Sequence, residues 1–133
     1  MRHDDLAARL LVALDQLDDL ALAGVLNPQV RLLVDTGDET GAEERGRARV
    51  IRVLRDRLAT HPDAALETVH VNGGPGLALR RRDGEVIGVL CLGVGATSEV
   101  DARDSGGQRL DALWLTTAPG KLAHWNRPRA GID

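Results

Sequence analysis

Partway along this chain the hydrophobic period changes, and that change limits the folds open to it. Leu6, Leu10, Leu14, Leu17 and Leu20 recur at steps of three and four, the spacing of one helix face. From residue 66 onward the apolar residues come instead in short runs cut by glycine and proline, which is how strands and turns are written. A helical first part followed by a long run of strands does not read as a regularly alternating strand-helix-strand architecture. The order predicts an α+β fold, with helices packed on one face of a curved, mainly antiparallel sheet.

The helical spacing covers residues 4–25, with Asp18 placed to cap a second, shorter helix inside the stretch and Asn27-Pro28 to stop it. VRLLVD (30–35) reads as a strand and DTGDETG (35–41) as a polar loop. Val50, Ile51, Leu54 and Leu58 form the apolar stripe of a helix over 46–60, ended by His61-Pro62, with Arg47, Arg49, Arg52 and Arg55 solvated. Further strands are predicted over 66–72, 76–82, 85–94 and 109–117. Asp83-Gly84 between two apolar runs is a hairpin turn, because glycine supplies the positive φ. Gly73, Gly74 and Gly76, with Pro75 among them, permit a sharp turn and a bend at the head of a strand. Residues 95–108, GATSEVDARDSGGQ, read as a flexible loop between strands, and the tail HWNRPRAGID shows no regular pattern.

At 133 residues the chain is expected to form a single domain, 1–133, with its own core. No apolar run is long enough to span a membrane, so no membrane partner is expected. A net charge of −3 gives no basic footprint for nucleic acid, and two tryptophans without Phe or Tyr cannot build a base-stacking surface. The single cysteine, Cys91, rules out an internal disulfide and suits the cytoplasm. His3, His61, His70 and His124 are scattered without zinc spacing, GGPG lacks the helix and Gly-Lys of a phosphate loop, and no metal or cofactor is expected.

Several stretches together resemble one family. VNGGPGLALRRRDGEVIGVLCLGV (71–94) is similar to the VNG-x-PG region of the SnoaL-like domain at the C-terminus of a group of extracytoplasmic-function sigma factors. VRLLVDTGD (30–38) resembles its strand and Asp-Gly-Gly-Gly loop, GRARVIRVL (46–54) its middle helix, and LWLTTAPGKLAHW (113–125) its closing Asn-Pro-Asp-Lys-Leu motif. The resemblance implies the NTF2-like (cystatin-like) cone, a pocket inside it, a homodimer through the outer sheet face, and a regulatory role. The chain departs from the family at Thr36 and Asp38, and at Ala118 and Gly120, while Lys121 and Leu122 match it. With room for the appended domain only, a stand-alone domain without sigma regions is expected.

Four residues stand out as ligand-binding candidates: Asp35, His70, Asn72 and Trp114. Asp35 falls close to the carboxylate base of related ketosteroid-isomerase-like folds. In an apolar cone its pKa would be raised for proton transfer; as a loop residue it would accept backbone N–H groups instead. His70 and Asn72 share strand parity, which leaves open whether they face the pocket or the outer surface. Trp114 shares parity with Leu110, Ala112 and Thr116 and is assigned to core or pocket wall, alongside Leu10, Leu14, Leu54, Leu79 and Val89. Cys91 reads as a small buried hydrophobe, and Arg80, Arg81 and Arg82 as a solvated hairpin edge. Without tyrosine, an oxyanion hole of tyrosine plus acid cannot form. The function expected is therefore non-catalytic binding of a small apolar or amphipathic molecule or a protein partner. The alternative is a cofactor-free isomerase, cyclase or hydrolase with Asp35 or His70 as base.

Overall fold

A computed structural model of the protein describes residues 3–38, 41–71, 73–94 and 109–126. Asn72 and the expected loop over 95–108 lie outside the described residues. The N-terminal helical stretch is split as the Asp18 signal implies, into α1 (His3–Asp15) and α2 (Asp19–Val25). Leu17 takes a left-handed φ of 52° and breaks the first helix. The Asp18 carboxylate then accepts the Ala21 N–H at 3.1 Å and starts the second.

Asn27-Pro28 stops the helix as expected, but the chain continues directly as strand β1 (Leu26–Asp35), earlier than the predicted 30–35. A register irregularity between Leu26 and Arg31 accommodates Pro28, which has no N–H for a ladder, and the Asn27 side chain accepts the Gln29 N–H at 2.8 Å. A short strand, β2 (Ala42–Arg45), follows, where sequence patterning predicts none. AEER carries no apolar alternation. It is a sheet-edge strand held by pairing to β1 and by Glu43, which bonds Arg45 at 3.1 Å and lies 3.8 Å from Arg31.

Helix α3 (Arg47–Thr60) buries Val50 and Leu54. Two of its arginines are not simply solvated. Arg47 donates to the Ala23 carbonyl at 3.1 Å, satisfying an acceptor at the end of α2, and Arg55 bonds Asp19 at 3.1 Å. The remaining strands are β3 (Ala65–Val71), β4 (Gly74–Arg80), β5 (Val86–Val94) and β6 (Leu110–Thr116), and helix α4 (Pro119–Asn126) closes the described chain. The glycines at the head of β4 have separate causes. Gly73 turns with a φ of 82°, and a Cβ on Gly76 would stand 2.8 Å from the Leu90 carbonyl oxygen.

The six strands form one sheet in the order β2-β1-β6-β5-β4-β3. Every pairing is antiparallel except β1 with β6. The helices α1, α2 and α3 cover the inner face, where Leu6, Leu10, Leu22, Leu32, Leu77 and Leu113 are buried. The run VIGVLCLGV is apolar on both parities because its inner face is covered and its outer face is covered in part: α4 packs Leu122 against Ala78, Val86 and Val89 there. Sequence patterning assigns no helix there.

Candidate functional site

Between α3 and the inner face of β3–β6 lies a cavity of about 260 Å³. Its inner wall is Leu14 of α1, Leu54 of α3, Leu77 of β4, Leu90 of β5 and Leu115 of β6, all buried. The floor includes Gly88, whose missing side chain leaves the space open. Half-buried residues form the outer part: Arg57, Leu58 and His61 at the end of α3, with Leu66, Leu79, Ile87 and Thr117 across from them. Ile87 reaches the cavity because it is an extra residue in the β4–β5 ladder, where Leu79 pairs Gly88 and Arg80 pairs Val86. The lining is therefore nine parts leucine and isoleucine to one arginine, one histidine and one threonine, apart from Gly88. A mostly apolar wall with few polar groups is the usual make-up of a small-molecule site.

Of the wall expected from sequence, Leu14, Leu54 and Leu79 line this cavity. Leu10 is buried beneath it in the inner core, and Val89 faces the outer core. Trp114 does not line it either. It is 44% exposed on the outer face, in register with Leu33 of β1 and Cys91 of β5. The parity argument fails there for a physical reason. Asp111 is an extra residue between Leu110 and Ala112 in the β5–β6 ladder, so alternation inverts, and Leu113 and Leu115 face inward in place of Trp114.

Asp35 ends β1 and lies outside the cavity lining. Its carboxylate accepts the Gly37 N–H at 3.0 Å and pairs with the Lys121 ammonium, and its carbonyl accepts the Thr117 N–H at 2.9 Å. The Lys121 bond and the Gly37 N–H hold its carboxyl below the usual carboxylate range. Of the two readings of Asp35, this is the loop residue accepting a backbone N–H and not the raised-pKa base of an apolar cone: a charge-paired loop carboxylate is a weak base. The pair joins the loop after β1 to the start of α4, across 86 positions of sequence. A Cβ on Gly37 would press to 2.9 Å from the Ala118 Cβ, so the two segments meet closely.

His70 has the inner-face parity of Leu66, since His70 pairs Pro75 while Leu66 pairs Leu79. It is exposed, however, and lines a separate, smaller cleft with Ala7, Ala8, Thr68, Val69 and Pro75. Asn72 lies outside the described residues. The structure thus brings none of Asp35, His70 and Trp114 together. Cys91 is half-buried, and burial pushes its thiol pKa up, so it is not an activated thiolate. Arg80 and Arg81 at the hairpin are paired, with Glu67 at 2.7 Å and Asp63 at 3.4 Å.

Sequence analysis passed over Arg57 and His61. The signal was present: Arg57 falls on the stripe of α3 that carries Leu54 and Leu58, three residues from Leu54, and His61 caps the same helix seven residues from Leu54. Among the described residues no three His, Cys, Asp or Glu side chains gather as a metal site, and no helix is long and apolar enough to cross a membrane.

The fold is that of the NTF2-like, cystatin-like α+β domains. Among solved structures, a candidate isomerase of the SnoaL-like family from Agrobacterium tumefaciens superposes with a TM-score of 0.59 at 12% identity, covering 86% of this chain and 95% of that one. The extracytoplasmic function sigma factor SigJ of Mycobacterium tuberculosis gives 0.61 at 18% identity over 90% of this chain, which spans 43% of the sigma factor. A cystatin-like protein of unknown function from Methylobium petroleophilum gives 0.60 at 14% identity, over 98% of this chain and 80% of that one. No protein-family model and no curated protein matches the sequence.

Proposed function

We propose that this protein is a binding domain that holds a small amphipathic molecule in the leucine-lined cavity and works in a regulatory setting, without catalysing a reaction. The observation that carries the reading is the cavity itself: about 260 Å³ of apolar space, left open in a chain that packs its other inner leucines to near-complete burial. Filling such a space with apolar atoms gains roughly 25 cal/mol per Å² removed from water. The enzyme alternative needs a base and a second titratable group converging on bound substrate. Asp35 and His70, the bases named for that alternative, do not line the cavity, which weighs against those assignments; the titratable groups on its wall are Arg57 and His61. The regulatory setting rests on likeness to the sigma-factor structure in fold and on the motif resemblance of residues 30–38, 71–94 and 113–125.

The outer face supports a further part of the reading, a homodimer. The helix α4 covers the Val86–Val89 side, but the row Leu33, Trp114 and Cys91 is left beside it, with Trp114 exposed. A large exposed aromatic in an apolar row is a usual mark of an interface.

The test of binding is a thermal-shift screen of small amphiphiles on the wild type and on Gly88→Leu, which fills the cavity floor. A ligand that raises the melting temperature of the wild type and not of the variant supports the reading. A panel in which no compound shifts the wild type, or every compound shifts both proteins alike, counts against it.

A further inference from the structure

We infer that the ligand of this cavity carries a carboxylate, received by Arg57 with His61 beside it. The inference rests on the cavity being a ligand site and adds the chemical class of the ligand. Three arginines on neighbouring surfaces pair with acids, Arg55 with Asp19, Arg80 with Glu67 and Arg81 with Asp63, and Arg52 and Arg82, without an ion pair among the described residues, are exposed to water. Arg57 has no ion-pair partner among the described residues, although the chain has 20 acidic residues against 17 basic ones. It stands on the wall of the cavity, half-buried, and the lining contains no acidic side chain. A half-buried arginine on a wall otherwise made of leucines, an isoleucine, a glycine, a histidine and a threonine gains most from an anion supplied from outside, and its planar fork matches a carboxylate with two parallel bonds.

The position of Arg57 in the last turn of α3 also offsets the negative end of the helix. That accounts for a cation at this turn. It does not account for placing the cation on the apolar stripe, where long side chains at Leu54 and Leu58 face the cavity. It does sharpen the expectation, because without Arg57 the helix end repels an anion. The volume sets the size of the ligand. At about 30 Å³ for each water-sized group, the cavity holds roughly eight or nine of them. A chain of about eight carbons fills it with the head group at the half-buried mouth.

Titration calorimetry with octanoate and 1-octanol on the wild type, Arg57→Lys and Arg57→Gln tests this, with circular dichroism checking that each variant folds. Octanoate is expected to bind the wild type at least about tenfold more tightly than octanol, the scale of one charge-assisted hydrogen bond. Arg57→Gln should remove that preference and Arg57→Lys keep part of it. Equal affinity of the wild type for the two probes overturns the carboxylate inference and leaves the cavity as a ligand site. Binding of neither probe overturns both. The wild-type comparison of head groups decides the matter even if a variant fails to fold.

Discussion

Gly88 offers the most direct way to perturb the cavity without disturbing what surrounds it. It sits in β5 on the cavity floor and is not among the glycines with positive φ. A Cβ built there meets the Leu115 Cδ1 at 3.6 Å, the Leu79 Cβ at 3.8 Å and the Thr116 carbonyl at 3.9 Å, all ordinary contact distances. Gly88→Ala should therefore stabilise the protein. Removing glycine from a strand interior contributes about 0.5–1 kcal/mol, and burying one methyl up to about 0.8 kcal/mol more. A net gain of about 1 kcal/mol raises the melting temperature by roughly 4 °C in a chain of this size. Gly88→Leu adds three further carbons. Their partial burial is offset by about 0.5–1 kcal/mol of lost rotamer freedom, so stability should stay near that of the alanine variant. The four added carbons occupy roughly 120 Å³, near half of the 260 Å³ available, and ligand affinity should fall by more than about tenfold. Urea unfolding, with the slope checked for constancy, measures the first effect, and calorimetry the second. A loss of more than about 1 kcal/mol in Gly88→Ala would refute the reasoning, because it would mean the space beside Gly88 is already filled. A stable Gly88→Leu that binds like the wild type would show that the ligand sits elsewhere.

Three other outcomes are expected. The Asn126 amide accepts the Val86 N–H at 2.7 Å and donates to the Val86 carbonyl at 3.0 Å, pinning α4 to the start of β5. Asn126→Ala should cost about 1–3 kcal/mol in urea unfolding, and a neutral result would show that water replaces both bonds. Asp35 has a depressed folded pKa, so its contribution is present above the unfolded value near 4 and lost as pH falls through the folded value. The stability gap between wild type and Asp35→Asn should be constant near pH 6 and close below about pH 4; a gap that widens in acid contradicts the Lys121 pairing. Sedimentation should show a dimer for the wild type and a monomer for Trp114→Arg at equal concentration. A wild type that stays monomeric at high micromolar concentration ends the dimer proposal.

What the sequence made legible follows from where its signals are local. The α+β order, the split at Asp18 and the Asp83-Gly84 turn, where Gly84 has a φ of 98°, rest on residues that act on their neighbours in the chain. The strand β2 was illegible because AEER has no pattern of its own, and its pairing and Glu43 contacts come from β1. Helix α4 carried one readable mark, Pro119 at its first position, against a tail otherwise without apolar period. At the site, three leucines of the expected wall were legible from helical and strand spacing. Trp114 was misplaced because a single inserted residue, Asp111, reverses parity, and no composition signal marks a bulge at an aspartate. The Asp35 environment depends on Lys121, which is distant in sequence and adjacent only after folding.

The central claim is that the space under α3 is a ligand site, and methyl NMR tests it most directly. With leucine and isoleucine methyls labelled, adding octanoate should move the signals of Leu54, Leu79, Ile87 and Leu115 and leave the fully buried Leu22 and Leu26 in place. Shifts absent from those four, or confined to Leu33 beside Trp114 on the outer face, would contradict it.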